Sequence, residues 1–179
     1  MPIKIVATYL TRIQRQVCES MDIEIMKNYA SSYGEITPGC VTDFSIHCFN
    51  STSLSVLKDM GVKRATLHPE LNLAQIRDIK KIMDTEIIIY GKLPLMKLGN
   101  PQITGTITDR TGASFYIQKD MLYNSVPLYM ADKLSEIEKS GVTHGRMIFT
   151  TENAAQVSDI IKAYKNRKII PLKFTRGKF

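Results

Sequence analysis

Short apolar, β-branched runs alternate along most of the chain with segments of helical period. The runs predict strands over residues 3–8, 43–50, 61–68, 85–90 and 145–150. Periodic segments between them predict helices over 12–29, 52–60, 72–83, 131–140 and from the Thr150–Asn153 capping segment to Tyr164, with a loop at 31–39. A strand and a helix recur about every 25 residues, which is the spacing of βαβ units. The pattern therefore predicts an α/β protein with parallel strands.

The alternation of predicted strands and helices stops after Gly91. Residues 92–104 contain two prolines and show no clean period. Residues 106–117 predict a β-hairpin that turns near 109–112, inserted between two strand–helix units. With 179 residues the chain is long enough for one core and too short for two comfortable ones. We therefore expect a single domain, 1–179.

Composition and charge limit the expected cellular location and the expected binding partners. No run approaches the roughly 18 apolar residues that cross a bilayer, and no signal-peptide layout precedes the first strand, so we expect a cytoplasmic protein without membrane association. The net charge is +7, and seven basic residues gather near the end: Lys162, Lys165, Arg167, Lys168, Lys173, Arg176 and Lys178. This tail could contact RNA phosphates, or it could be a solvated basic helix end.

The three cysteines, Cys18, Cys40 and Cys48, show no CxxC spacing. An odd number without that spacing argues against a disulfide framework and against a structural zinc site. Cys48 lies inside an apolar run, which favours a buried packing role.

Several motifs occur together in a recognisable order. Asp43-Phe-Ser-Ile-His-Cys-Phe-Asn-Ser51 is followed by Thr66-Leu-His-Pro-Glu-Leu71 and by Ile89-Tyr-Gly-Lys-Leu-Pro-Leu-Met96. Further on come Thr108-Asp-Arg-Thr-Gly112, Tyr123-Asn-Ser-Val-Pro-Leu128, Phe149-Thr-Thr-Glu152 and Phe174-Thr-Arg-Gly177. In this order they resemble the collagenase-like peptidase family U-32, over residues 43–179 and more weakly over 1–42.

This resemblance implies a barrel-like α/β core that is usually built from longer chains. We therefore expect an incomplete TIM-barrel-like set of βα units with a β-hairpin insertion, a C-terminal part of the family core. Some family members are described as proteases of unassigned catalytic type. Others are implicated in hydroxylation of transfer RNA, ribosomal RNA or ubiquinone precursors, with a four-iron, four-sulfur cluster on four cysteines.

The family's cysteine positions are not filled in this chain. Asn100, before Pro101, stands where the resemblance places a cysteine, residues 101–107 are too few for the cysteine-bearing loop, and residues 115–123 contain no cysteine. Cluster ligation needs thiolates, which asparagine cannot supply. We therefore expect no iron–sulfur cluster and no other cofactor.

Two ionisable residues at one strand end are the candidate catalytic pair. His68 and Glu70 stand two residues apart, on one face if the chain is extended. They could transfer protons, and a metal would need a third ligand, so we expect none. Glu70 could instead stabilise the N-terminus of the helix that follows. His47, flanked by Ile46 and Cys48, is interpreted as a core or sheet-face residue.

Other polar residues end the predicted strands or stand in loops and could bind substrate: Asn50, Lys92, Arg110, Asn124, Glu152 and Arg176. The carboxyl ends of parallel strands meet at one edge, so a ring of polar groups around one mouth is expected. The arginines could bind a carboxylate or phosphate, although Arg110 could equally pair with Asp109 or Asp120.

Three functions stay open at this point. The first is a hydrolase or peptidase of the U-32 type. The second is an accessory or RNA-binding subunit of an RNA- or quinone-modifying system, without its own cluster. The third is a non-catalytic truncated remnant. Because a partial barrel exposes strand edges, we also expect a homodimer or a partner chain that completes the barrel.

Overall fold

A computed structural model describes residues 2–99, 102–118 and 120–178. Its main feature is a curled, half-barrel sheet of parallel strands, in spatial order β2-β1-β11-β5-β4-β3. The strands are β1 (Lys4–Thr8), β2 (Glu24–Ile25), β3 (Val41–Thr42), β4 (Arg64–Thr66), β5 (Asp84–Gly91) and β11 (His144–Ile148). Strand β10 (Leu128–Tyr129) joins the sheet antiparallel to β5. The predicted α/β class and parallel strands are confirmed.

The predicted hairpin is part of a second, antiparallel sheet. Strands β7 (Gly105–Thr108) and β8 (Ser114–Gln118) pair with each other, and β9 (Met121–Tyr123) and β6 (Pro94–Lys97) extend the sheet in the order β6-β9-β8-β7. The carboxylate of Asp109 accepts hydrogen bonds from the N–H groups of Thr111 and Ala113, which fixes the turn. The hairpin is confirmed, whereas β6 and β9 were not predicted.

Five α-helices are formed by the described residues: α1 (Arg12–Ser20), α2 (Ser51–Asp59), α3 (Leu73–Asp78), α4 (Leu134–Lys139) and α5 (Ala154–Lys165). Thr11, Asn72 and Asn153 each form a capping box with a glutamine three residues later, which satisfies otherwise unpaired N–H groups. Leu54, Ile137 and Val157 bury helix faces in one core with alternate strand residues such as Ala65 and Ile87. The opposite face of the parallel sheet is therefore left for other side chains.

Three predicted elements differ from the structure. The strand expected over residues 43–50 is a 3-10 turn at Phe44–Ile46, because Asp43 caps the turn through the N–H of Phe44 and His47 adopts a left-handed conformation with φ 57°. The helix expected over 12–29 ends at Ser20, since Asp22 has φ 55° and the next residues pair with β1. The helix expected over 72–83 ends at Asp78, because Ile79 is extended.

One segment contacts both edges of the curled sheet. Residues 24–30 begin as β2, where the N–H of Met26 donates to the carbonyl of Ala7 over 3.0 Å. They end beside β3, where the N–H of Ala30 donates to Val41 and its carbonyl accepts from Asp43, both over 2.9 Å. This edge-linking segment, residues 24–30, thus hydrogen-bonds to the strands at both ends of the sheet.

Candidate functional site

Three neighbouring strands carry charged side chains on the face of the sheet that the helices leave free. Arg64 of β4 and Arg146 of β11 both point at Glu86 of β5, with Nε–Oε distances of 3.1 Å and 3.4 Å. Thr66 donates its hydroxyl to the same carboxylate over 3.0 Å. The side chains of Glu86 and Arg146 are 0% exposed. Burial raises the pKa of Glu86, and the charges of Arg146 and Arg64 oppose that shift.

Two further side chains belong to this buried charge network, and the partly exposed Glu24 pairs with Arg64 over 3.3 Å at its edge. A guanidinium nitrogen of Arg146 donates to Asp43 Oδ1 over 2.6 Å, and Tyr29 donates its hydroxyl to Glu86 over 3.3 Å. The guanidinium of Arg146 also lies 4.2 Å from the ring centre of Tyr29. Burial, followed by the charge of Glu86, raises the pKa of Tyr29, so its hydroxyl stays protonated and remains a donor. These side chains together form a buried, hydrogen-bonded polar network on the face of the sheet that the helices leave free.

Next to this network lies a group of rings, Phe44, His47, Phe49 and His68, with Glu70 beside them; we call these five residues the mouth cluster. The guanidinium of Arg146 lies 5.6 Å from the ring centre of Phe44 and links the two groups. His68 lies 5.2 Å from His47 and 4.3 Å from Phe49 between ring centres. Its Nδ1 accepts the N–H of Glu70 over 3.4 Å. That contact assigns the ring proton to Nε2 in the neutral tautomer.

The surroundings of His68 favour the uncharged ring. Burial lowers the pKa of His68, Glu70 opposes the shift, and His47 adds to it. Residues 69–70 form a turn, in which the N–H of Leu71 donates to the carbonyl of His68 over 3.1 Å, so the extended chain assumed for His68 and Glu70 is not formed. The two residues meet through the main-chain N–H of Glu70, and their joint catalytic role stays a prediction. His47 is exposed on a left-handed turn, so its interpretation as a core or sheet-face residue was wrong.

Glu70 itself is exposed. Within the part of the chain that the structure describes, its carboxylate makes no hydrogen bond, while Asn72 and Gln75 satisfy the first N–H groups of α3. The helix N-terminus therefore has its own caps. The Glu70 carboxylate remains available to solvent and to a ligand.

Two predicted binding residues come together at a different place. Lys92 and Glu152 line the same cavity of about 860 Å³, where β5 and β11 end. Glu152 accepts a hydrogen bond from the hydroxyl of Tyr90 over 2.8 Å and from the N–H groups of Thr150 and Thr151 over 2.7 and 3.0 Å. Burial, followed by the charge of Glu152, raises the pKa of Tyr90 and keeps its hydroxyl a donor.

Four other predicted binding residues are spread out. Asn50 caps α2 through the N–H of Ser53, and Asn124 accepts from the N–H of Ser125, each over 2.8 Å. Arg176 pairs with Asp132 and donates to the carbonyl of Tyr129. Arg110 lies in the exposed hairpin turn and pairs with no described residue. A single ring formed by all of these residues stays a prediction.

The cysteines do not fit the family's iron–sulfur cluster. A four-iron, four-sulfur cluster takes four thiolates, and the chain has three cysteines. Burial raises the pKa of both Cys18 and Cys48 to about 11, which opposes the thiolate form. Among the described residues no three His, Cys, Asp or Glu side chains are grouped to hold a metal ion. Asn100 and Pro101, where a family cysteine was expected, lie outside the described residues.

We predict that the cysteines differ sharply in reactivity. Iodoacetamide at neutral pH should modify Cys40, which is partly exposed, and leave the buried Cys18 and Cys48 unmodified in the folded protein. Mass spectrometry of tryptic peptides measures this directly, and the urea-unfolded protein is the control in which all three should react. Rapid native modification of Cys18 or Cys48 would contradict the burial described above.

We also predict a loss of stability in mild acid. Burial lowers the pKa of His68 and of His144 from 6.5, so between that value and the lower native one only the unfolded chain takes up the proton. Stability from these rings is fully present above about pH 6.5 and decreases as the pH falls below it. Urea unfolding at about pH 7.5 and pH 5.5 tests this, and His144→Asn should show a smaller decrease than the wild type. An equal decrease in both proteins would exclude His144 as a source.

Comparison with known protein families gives a match. The model of peptidase family U32 matches residues 21–169, and so begins ahead of Asp43, where the sequence resemblance was strongest. No curated protein and no solved structure matches the chain. In residues 2–99, 102–118 and 120–178, every helix lacks either the length or the apolar character needed to cross a bilayer.

Proposed function

Because the chain belongs to peptidase family U32, we propose that it hydrolyses peptide bonds with Glu70 and His68 as its catalytic groups. The observation that carries the proposal is the placement of His68. A neutral imidazole is held in one orientation by the N–H of Glu70, two residues from an exposed carboxylate. A hydrogen-bond donor and a proton acceptor near one strand end support this chemistry.

In the proposed reaction Glu70 takes up one proton and returns it, while His68 contributes a hydrogen bond. Glu70 accepts a proton from a water molecule while the water oxygen attacks the peptide carbonyl carbon. His68 stabilises the negative charge that develops on the carbonyl oxygen with a hydrogen bond from its Nε2–H, and it keeps its proton throughout. When the tetrahedral intermediate collapses, the C–N bond breaks and Glu70 returns the proton to the leaving amine. One peptide bond and one water give one carboxylic acid and one amine.

The neighbouring rings support substrate binding at this place. Phe49 is partly exposed next to Asn50, and both line a small cleft of about 290 Å³ with Leu71 and Gln75. An apolar substrate side chain could contact Phe49 while Asn50 offers its amide N–H₂ group. We propose substrate contacts also for Lys92, Arg110 and Asn124, whereas Glu152 and Arg176 already bind partners within the chain.

Substitution of Glu70 tests the proposal. Glu70→Gln should lower kcat/KM for peptide cleavage by about 10²–10⁴-fold, because the amide cannot accept the proton from water. A panel of internally quenched fluorogenic peptides provides the assay. The matched control is Glu19→Gln, the same change at an exposed residue of α1, which should keep full activity.

Two outcomes would overturn the proposal. One is a wild-type protein that cleaves no peptide in the panel. The other is cleavage by Glu70→Gln at the rate of Glu19→Gln. His68→Asn provides a second, independent test of the proposal. It removes the Nε2 donor and should therefore lower kcat without a matching change in KM.

The accessory or RNA-binding alternative has less support from the basic tail than its charge suggests. Lys165 donates its Nζ to the carbonyl of Met21 over 2.6 Å, and Arg167 binds both carboxylate oxygens of Glu138. Two of the cations are thus partly satisfied within the chain. RNA binding and a role in an RNA- or quinone-modifying system remain predictions, tested by salt-dependent RNA retention with Lys165, Arg167 and Lys168 neutralised.

We also propose a TIM-barrel-like origin of the fold, a partner chain and a cytoplasmic location. The parallel strands β3, β4, β5 and β11 lie side by side in the sheet in the order in which they occur along the chain, which supports a TIM-barrel-like origin of the half-barrel. The homodimer or barrel-completing partner is unchanged as a prediction, although the edge-linking segment already pairs part of both edges. Cytoplasmic location likewise stays a prediction.

A further inference from the structure

The cavity of about 860 Å³ shares no residue with the mouth cluster. Its walls come from the ends of β5 and β11, from α5 and from the chain segment 168–173. Its volume lies within the roughly 300–1,000 Å³ that is usual for small-molecule sites. The cavity is therefore a separate place where a ligand of moderate size would fit.

The charges around this cavity are unequal. Four lysines line it, Lys92, Lys162, Lys168 and Lys173, against the carboxylates of Glu152 and Asp159. None of the four ammonium groups forms an ion pair or a hydrogen bond with another residue in the described part of the chain. Glu152 already accepts three hydrogen bonds, from Tyr90 and from two main-chain N–H groups. The charge left for a ligand is thus predominantly positive.

The wall between these lysines is apolar. Ile160 of α5 is buried at the cavity, and Ile170 and Leu172 of the C-terminal segment lie partly buried opposite Val126. Ile169 adds an exposed apolar side chain at the rim, with 54% of its surface accessible. A ligand that fills the cavity would contact both hydrocarbon side chains and ammonium groups.

We propose that this cavity binds an amphipathic organic anion, a molecule with an apolar body and a single anionic head group. The apolar body packs between α5 and residues 169–172, and the head group lies among the lysines. Charge complementarity and the mixed lining both point to this class, since a purely inorganic anion would leave the apolar wall unused. The proposal is independent of peptide hydrolysis at the mouth cluster.

Two probes that share a ten-carbon chain but carry opposite charges test the proposed binding. Decanoate should bind the full-length protein in isothermal titration calorimetry, and decylammonium should bind at least about tenfold more weakly, a difference of about 1.4 kcal/mol. Raising the salt from about 0.05 M to about 0.5 M should weaken decanoate binding, because the lysines are exposed to screening. Equal binding of both probes, or no binding of decanoate, would overturn the proposal.

Substitutions of lining residues test whether decanoate binds at this cavity. The triple variant Lys162→Gln, Lys168→Gln, Lys173→Gln should bind decanoate at least about tenfold more weakly than the wild type. The matched control is Lys58→Gln, Lys63→Gln, Lys80→Gln, which removes the same charge from exposed lysines outside the cavity. Ile169→Gln tests the apolar wall without changing charge. Equal affinities of the two triple variants would locate the binding elsewhere and refute the assignment.

Discussion

Arg146→Met should destabilise the protein by about 3–5 kcal/mol, which is a large part of the stability of an ordinary domain. The methionine fills similar space but leaves Asp43 without its buried guanidinium partner and Glu86 with Arg64 alone. A buried carboxylate without a cation is costly because the interior solvates charge poorly. Urea unfolding followed by circular dichroism measures the change in the free energy of unfolding.

A surface arginine provides the matched control for this substitution. Arg167→Met breaks the pair with Glu138, where the two side chains are 42% and 18% exposed, and should cost no more than about 1 kcal/mol. Asp43→Asn in the Arg146→Met background should cost less than in the wild type, because the two residues belong to one network. Equal costs for Arg146→Met and Arg167→Met would show that the buried charge network contributes little to stability.

Gly91→Ala is the second substitution with a large expected effect. Gly91 ends β5 with φ +127°, and a Cβ atom there would lie 2.2 Å from the main-chain oxygen of Ile148. The unfavourable backbone conformation costs about 1–3 kcal/mol, and the overlap with a neighbouring strand adds about 1–3 kcal/mol. We therefore expect a loss of about 2–6 kcal/mol, seen as a lower urea midpoint or as insoluble protein.

Gly105 separates the two causes. It has nearly the same φ, +126°, but a Cβ there would have no atom within 4 Å. Gly105→Ala should therefore show only the backbone cost, about 1–3 kcal/mol. If both variants lose equal stability, the close approach of Ile148 to Gly91 is not what requires glycine at this position.

The elements that sequence predicted well are those with a local cause. The turn of the hairpin follows from the side chain of Asp109, and α5 begins where Asn153 and Gln156 cap it. Strand β5 is a long β-branched run, so its apolar pattern needed no knowledge of its neighbours. Family membership was likewise predicted from ordered motifs and is confirmed by the match over 21–169.

Errors arose where tertiary pairing outweighs the local pattern. Residues 21–29 have helical apolar spacing, yet Glu24 and Ile25 pair with β1, which the sequence gives no means of anticipating. The apolar run that contains His47 looks like a strand, but the cap at Asp43 turns the chain. That turn brings His47 onto His68, so the mouth cluster depends on a conformation that alternation alone does not predict.

The buried charge network was missed, although a signal for it exists. Arg64, Glu86 and Arg146 each interrupt an apolar strand segment with a charge. Charged side chains inside buried strands need partners of opposite sign, so two arginines and one glutamate in neighbouring strands indicate mutual pairing. The partner Asp43 could not be found in this way, because it lies on a turn whose position was predicted wrongly.

The pairing of β1 with β11 has a consequence for how the protein is made. The first strand is in register with β11 along its whole length, from Lys4 beside His144 to Thr8 beside Ile148. On the ribosome the hairpin of β7 and β8 can form as soon as it emerges, whereas β1 must wait for almost the entire chain. During that wait the edge of β1 is exposed to other nascent chains. The edge of β1 that faces β11 is therefore expected to stay unpaired through most of synthesis, when a chaperone would protect it.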